Sequence, residues 1–160
     1  MRELFLVRHA KSSWDDPSLS DFDRPLNDRG LNDAKLIAKE LKNRLVKPQI
    51  ILSSPANRAK STAIIVAQTL GVENIEFKES IYESSDFNLM MIIKELDESI
   101  KSAMIVGHNP ALTMLVNKIS SFSLDNLKTC GVVALTLDSW QDLSPYQAGL
   151  NFYIYPKMFR

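Results

Sequence analysis

Leu4-Phe5-Leu6-Val7 runs directly into Arg8-His9-Ala10, so a short apolar segment ends in an arginine and a histidine. Such a segment is typical of a buried central β-strand that carries polar groups at its C-terminal end. Open α/β sheets bind their ligands at that edge. The stretch therefore predicts both an α/β fold and a site at the end of the first strand.

Two later segments repeat this arrangement of an apolar run followed by polar groups. Ile50-Ile51-Leu52-Ser53 leads to Arg58, and Ala103-Met104-Ile105-Val106-Gly107 leads to His108. The chain has only two histidines, and each lies at the end of a predicted strand. One histidine in such a place is more often structural, but two of them with arginines nearby indicate a functional site.

Helical patterns alternate with the strands along the chain. Apolar residues spaced three and four apart predict four helices, the first with a stripe running from Leu31 to Leu45. Asn27 is the expected N-cap of the first helix, and Gly71 is the expected C-cap of the second. The predicted strands are 4–7, 49–53, 75–77, 103–107, 131–137 and 149–155. These elements predict a single α/β domain over residues 1–160, with a central sheet covered on both faces.

The composition excludes several classes of partner. The 160 residues include 19 basic and 19 acidic side chains, so no overall charge favours nucleic acid or an anionic membrane. No apolar run approaches the roughly 18 residues of a spanning helix, and the first run is too short for a signal peptide. The lone Cys130 suits a reducing compartment and is expected to be a small core residue. We therefore expect a cytoplasmic protein.

The chemistry of the strand-end residues favours binding of a tetrahedral oxyanion. No cysteine pair, spaced histidine pair or phosphate-binding glycine-rich loop appears, which argues against a zinc site and against a nucleotide-binding P-loop. Guanidinium groups bind phosphate as a bidentate fork, and a neutral histidine is a nucleophile toward phosphorus. The residues therefore predict phosphoryl transfer through a phosphohistidine, with no metal and no cofactor.

Four segments together resemble the histidine phosphatase superfamily, which has the phosphoglycerate mutase-like fold. Arg8-His9-Ala10 resembles its Arg-His-Gly signature, and residues 53–63 resemble a second motif centred on Arg58. Residues 24–30 are similar to an element between these two, and Gly107-His108-Asn109 matches the segment of the second histidine. The resemblance implies a three-layer α/β/α sandwich with a mostly parallel sheet. Within the superfamily, the opening motif and the short length most resemble the SixA-type phosphohistidine phosphatases.

The resemblance also implies roles for five side chains. His9 would be the nucleophile that becomes phosphorylated, and Arg8, Arg58 and His108 would complete the phosphate pocket. Glu83 stands where many relatives carry the general acid or base. The alternative for Glu83 is an ordinary solvated loop carboxylate.

Three further side chains are candidates for binding substrate. Ser12 either supplies a hydroxyl or backbone donor or only shapes its loop. Arg24 either lies at the rim of the pocket or forms a structural ion pair with Asp21 or Asp23. Asn109 either donates to phosphate or serves as a turn residue.

Three classes of function follow from this chemistry. The first is a phosphatase acting on phosphohistidine or on another phosphoprotein, because no long insertion is available to build a deep lid. The second is a phosphatase or mutase acting on a small phosphorylated metabolite, of which the mutase ranks low because it must exclude water. The third is a non-catalytic phosphate-binding module, against which the retention of both histidines and both arginines argues.

Overall fold

Six strands form one sheet, and four helices connect or cover them. The computed structural model describes residues 1–160 throughout. The strands are β1 (Arg2–Arg8), β2 (Ile50–Ser53), β3 (Ile75–Phe77), β4 (Ser102–Gly107), β5 (Val132–Leu137) and β6 (Gly149–Ile154). The helices are α1 (Asp28–Asn43), α2 (Asn57–Leu70), α3 (Asp86–Lys94) and α4 (Ala111–Ile119). The predicted order of strands and helices is confirmed.

The sheet has the order β3-β2-β4-β1-β5-β6. Strands β3, β2, β4 and β1 run parallel to one another, whereas β5 is antiparallel to both β1 and β6. Connections between parallel strands need a crossover, which the helices provide. The predicted mostly parallel sheet is therefore confirmed, and β1 and β4 are its two adjacent central strands.

Alternate side chains of the central strands face opposite helical layers, as the two-residue period of a strand requires. In β1, Leu4 and Leu6 belong to the core beneath α3 and α4, whereas Phe5 and Val7 belong to the core beneath α1 and α2. All four side chains are almost completely buried. These two cores make the molecule the three-layer α/β/α sandwich that was expected.

The C-terminal end of α1 differs from the predicted stripe. Leu45 was expected on the buried face, but its side chain is 89% exposed. The helix ends at Asn43, and Leu45 takes a left-handed backbone conformation with φ of 63°. This turn carries Val46 back into the core, so Val46 replaces Leu45 as the apolar contact. Leu31, at the start of the stripe, is also partly exposed.

Cys130 is completely buried, in agreement with the prediction of a small core residue. Burial raises the pKa of its thiol, and the nearby Asp33 carboxylate acts in the same direction. The thiol therefore stays protonated and unreactive. Among the helices, none is both long enough and apolar enough to span a membrane.

Candidate active site

The register of the parallel strands brings the two histidines together. Arg8 at the end of β1 pairs with Gly107 at the end of β4, so the next residues, His9 and His108, lie side by side. The backbone N–H of His9 donates to the Gly107 carbonyl at 3.0 Å. The two imidazole rings have centroids 5.2 Å apart. One sheet edge thus positions both predicted catalytic histidines.

The neighbouring strand β2 brings the motif centred on Arg58 to the same edge. The backbone N–H of Ser54, just beyond β2, donates to the Val106 carbonyl at 3.0 Å. Helix α2 begins three residues later and carries Arg58 in its first turn. The segment that leads into the antiparallel strand β5 also reaches this edge. The backbone N–H of Cys130 donates there to the His9 carbonyl at 3.0 Å.

A cavity of about 220 Å³ opens at this edge of the sheet. Its lining includes seven of the eight predicted site residues: Arg8, His9, Ser12, Arg24, Arg58, His108 and Asn109. Three other residues, which the sequence patterns did not indicate, also line the cavity: Lys11, Trp14 and Thr129. Lys11 and Trp14 follow the Arg8-His9-Ala10 motif within five residues, whereas Thr129 lies in the distant segment that leads into β5.

The surroundings of the His9 ring hold it in its neutral form. Its Nδ1 lies 2.7 Å from the carbonyl oxygen of Ala10, and a carbonyl only accepts hydrogen bonds. Nδ1 therefore carries the ring proton, which leaves the lone pair on Nε2. Burial is the main cause that lowers the pKa of His9 to about 3; the charges of His108, Arg58 and Arg8 act in the same direction, and the hydrogen bond to Ala10 opposes them.

His108 is also neutral before substrate binds. Burial is the main cause that lowers its pKa to about 4, and the nearby Arg58 acts in the same direction. Its Nε2 lies 2.8 Å from the Ser54 hydroxyl, and the ring of Tyr82 contacts it edge-on at 5.6 Å between centroids. An arriving phosphate dianion adds negative charge beside this ring, which favours its protonated form.

Asp21 holds two of the cationic side chains at the cavity. Arg58 donates to the Asp21 carbonyl at 2.6 Å and to its carboxylate at 2.9 Å. Arg24 lies 3.5 Å from the same carboxylate and packs its guanidinium 3.4 Å from the centroid of the Trp14 ring. Both alternatives raised for Arg24 therefore hold, because it forms an ion pair and also lines the cavity.

The Asp21 carboxylate also receives a hydrogen bond from the Tyr82 hydroxyl at 2.8 Å. Desolvation works to raise the pKa of Asp21, but the hydrogen bonds from Tyr82 and Arg58 outweigh it and lower that pKa. Burial and Asp21 together raise the pKa of Tyr82 to about 12. The carboxylate is thus fixed in its charged form between a phenol and two guanidinium groups.

Several buried nitrogen atoms around the cavity have no hydrogen-bond partner within the protein. They are Nε of Arg8, Nε and Nη1 of Arg24, Nε of Arg58 and Nδ1 of His108. An unpartnered buried polar atom costs about 1–3 kcal/mol. The residues that carry these atoms line the cavity, so its wall is cationic and suits a ligand with several acceptor oxygens, such as a phosphoryl group.

Of the remaining predicted residues, Asn109 and Ser12 line the cavity and Glu83 does not. Asn109 lines the cavity, but its amide donates to Asn126 and Leu127 and its oxygen accepts from Thr113, so the side chain holds its own loop. Ser12 lines the cavity through a loop that forms an isolated bridge with residue 26. Glu83 is exposed, has a left-handed φ of 50° and does not line the cavity.

The model of the histidine phosphatase superfamily (branch 1) matches residues 4–88. An uncharacterized chloroplastic protein of Arabidopsis thaliana is 36% identical over 153 residues, which cover 88% of this chain and 70% of that protein. The phosphohistidine phosphatase SixA of Escherichia coli is 26% identical over 140 residues, covering 85% of this chain and 86% of SixA. The chain belongs to the histidine phosphatase superfamily.

The solved structures agree with this assignment. A SixA structure from Agrobacterium tumefaciens superposes with a TM-score of 0.86 at 27% identity, covering 97% of this chain and 98% of the other. The fold is therefore the phosphoglycerate mutase-like fold of the SixA proteins, as the sequence motifs indicated. Membership of this superfamily and the likeness to SixA support a phosphatase activity.

Proposed function

We propose that this protein is a phosphohistidine phosphatase that passes the phosphoryl group through His9 to water. The observation that carries the proposal is the hydrogen bond of the His9 Nδ1 to the Ala10 carbonyl. It leaves a neutral ring with its lone pair on Nε2, beside two arginines and a second histidine. A buried neutral imidazole among phosphate-binding cations is arranged for attack on phosphorus.

The reaction has two displacement steps. In the first, His9 Nε2 attacks the phosphorus of a substrate phosphohistidine, the substrate P–N bond breaks, and the departing imidazole takes up a proton from solvent water. In the second, water attacks the phosphorus of phosphorylated His9, the bond to Nε2 breaks, and inorganic phosphate leaves. Arg8 and Arg58 offset the charge on the transferring oxygens in both steps. This scheme requires no metal, because the arginines supply the positive charge.

The size of the cavity supports a protein substrate. Pockets that enclose a small-molecule ligand have volumes of roughly 300–1,000 Å³, whereas this cavity measures about 220 Å³. It has room for a phosphoryl group and little more, so the body of the substrate would lie outside. The rim residue Trp14 is 75% exposed and is available to contact that body.

The alternatives receive less support from the same geometry. A phosphatase for a small phosphorylated metabolite would use the same His9 chemistry, and substrate comparison separates it from the proposed function. A mutase must keep water from its phosphoenzyme, and a site with a largely exposed rim tryptophan offers little enclosure. A non-catalytic binding module would have no use for a histidine whose tautomer is set for attack.

A rapid-quench experiment tests the proposal. Wild-type protein mixed with a peptide carrying labelled phosphohistidine should trap acid-labile, base-stable phosphate on His9. The His9→Asn variant should show neither labelling nor turnover. The matched variant His108→Asn should turn over more slowly but still label His9. Normal labelling of His9→Asn would refute the assignment, and loss of activity after exhaustive chelation would refute the metal-free scheme.

A further inference from the structure

A second cavity, of about 380 Å³, adjoins the catalytic one. The two share Arg8, Lys11 and Thr129 in their linings, so the second cavity begins directly beside the catalytic one. Six of the ten residues that line the second cavity are cationic, and none is acidic. These cations are Arg8, Lys11, Arg29, Lys128, Lys157 and Arg160.

This concentration of positive charge contrasts with the rest of the chain. Basic and acidic side chains are equal in number overall, at 19 each, so six cations around one cavity make a strongly asymmetric surface. The buried Asp33 is the single carboxylate paired with any of them, 3.8 Å from Arg29 Nε and 3.4 Å from Arg160 Nε. The other four cations form no ion pair within the protein. A local field of this kind attracts anionic partners.

The two cavities hold their cations in different ways. In the catalytic cavity, the guanidinium groups of Arg8, Arg24 and Arg58 belong to partly or largely buried side chains, which suits recognition of a single oxyanion. In the second cavity, Lys11, Lys128 and Lys157 are exposed, and their long side chains spread the charge over the surface. Dispersed, solvated cations suit a row of carboxylates better than one phosphate.

We propose that the second cavity binds an acidic segment of the phosphoprotein substrate, next to the phosphorylated residue. The inference rests on the proposed function, because it supposes that the substrate is a protein. Arg8 stands between the two cavities, with its Nη1 fixed by the Leu127 carbonyl at 2.9 Å. The phosphoryl group occupies the catalytic cavity while glutamate or aspartate side chains follow the basic residues outward.

Two phosphohistidine peptides test this inference. They are identical except that one carries four glutamates beside the phosphorylated residue and the other carries four glutamines. At low ionic strength we expect kcat/KM to be about tenfold higher for the glutamate peptide, since several exposed ion pairs act together. Raising the salt to about 0.5 M should remove most of the difference, because the charges are exposed to solvent.

Charge-reversal variants assign the effect to the second cavity. The double variant Lys128→Glu/Lys157→Glu changes two residues outside the catalytic cavity and should lose the preference for the glutamate peptide, while p-nitrophenyl phosphate is hydrolysed as before. The control Lys47→Glu/Lys101→Glu makes the same change of charge beside the N-terminal ends of β2 and β4, at the opposite edge of the sheet. It should keep the preference. Equal turnover of the two peptides by wild type, or a preference that survives in the first variant, would overturn the proposal.

Two further measurements separate this inference from the proposed function. If p-nitrophenyl phosphate is hydrolysed but neither peptide is, phosphohistidine is not the substrate. Binding of the unphosphorylated glutamate peptide to the protein is then measured by fluorescence anisotropy. Binding there that is lost in Lys128→Glu/Lys157→Glu supports an acidic-segment site, and absence of binding overturns it. Propane-1,3-diol bisphosphate and propyl phosphate form the second comparison. A preference for the bisphosphate without one for the glutamate peptide would assign the cavity to a metabolite and overturn the proposal.

Discussion

Replacing both His9 and His108 by asparagine should abolish most of the loss of stability that the wild type undergoes between pH 7.5 and pH 5. The chain has no other histidine. Burial lowers the pKa of His9 to about 3 and that of His108 to about 4, whereas an unfolded histidine titrates near 6.5. Between these values the unfolded chain binds more protons than the folded one, so the free energy of unfolding falls as the pH falls.

The magnitude follows from the position of pH 5 relative to these pKa values. At pH 5 both rings are protonated in the unfolded chain and largely neutral in the folded one. This pH lies about 1.5 units below the unfolded pKa, and each unit corresponds to about 1.4 kcal/mol. Each histidine therefore costs ~2 kcal/mol at pH 5 relative to pH 7.5, and the pair costs ~4 kcal/mol. Asp21 does not interfere, since its lowered pKa removes stability only as the pH falls below the usual aspartate range.

Urea unfolding measures this difference through the fluorescence of Trp140, whose side chain is fully buried. Wild type and His9→Asn/His108→Asn are compared at pH 7.5 and pH 5 in buffer free of phosphate, because a bound anion would stabilise the folded state. The wild type should lose ~4 kcal/mol between the two pH values, and the variant should lose less than ~1 kcal/mol. Equal losses in the two proteins would show that the rings are not buried in neutral form, and would refute the account of His9 as a neutral nucleophile.

Three other substitutions probe separate parts of the structure. Arg58→Lys keeps one charge but loses the guanidinium fork, so vanadate affinity by calorimetry should fall about 10- to 100-fold; unchanged affinity would make Arg58 purely structural. Glu83 is exposed and lies outside the cavity lining, so Glu83→Gln should leave turnover of an alkyl phosphate and of p-nitrophenyl phosphate unchanged; a loss of about 10²-fold confined to the alkyl phosphate, whose leaving group needs a proton, would instead assign Glu83 as the general acid. Gly30→Ala places a methyl group against the carbonyl of Lys11, so the free energy of unfolding should drop by ~1–3 kcal/mol in urea; an unchanged midpoint would mean that the loop carrying Lys11 shifts without cost.

The helix boundaries set by local chemistry could be predicted from the sequence. The Asn27 side chain accepts from the Gly30 N–H at 2.7 Å, as an N-cap does, and Gly71 ends α2 with a left-handed φ of 72°. Each of these features depends on a few consecutive residues. The end of α1 at Asn43 was missed because the periodic pattern continues to Leu45 after the backbone has already turned.

The contacts between distant segments could not be read from the sequence. Strand order depends on which parallel neighbours pair, and the pattern of apolar residues does not specify this. The ion pair between Asp21 and Arg58 joins residues 37 positions apart, and the Tyr82 hydroxyl reaches Asp21 across 61. The motifs placed both histidines at the site, whereas the side chains that fix the charges around them became visible only with the fold.

The carbonyl that orients His9 belongs to the main chain. Every amino acid placed at position 10 would bring the same oxygen, so no codon change can delete the acceptor that holds the proton on Nδ1. Ala10 is completely buried, however, and a larger side chain there would have to displace its neighbours. A mutation at position 10 can therefore disturb His9 through the volume of the new side chain, but it cannot remove the hydrogen bond that orients the ring. Replacing the amide that contains this carbonyl by an ester would weaken the acceptor. The preference of the His9 ring proton for Nδ1 would then fall, which no side-chain substitution at position 10 achieves.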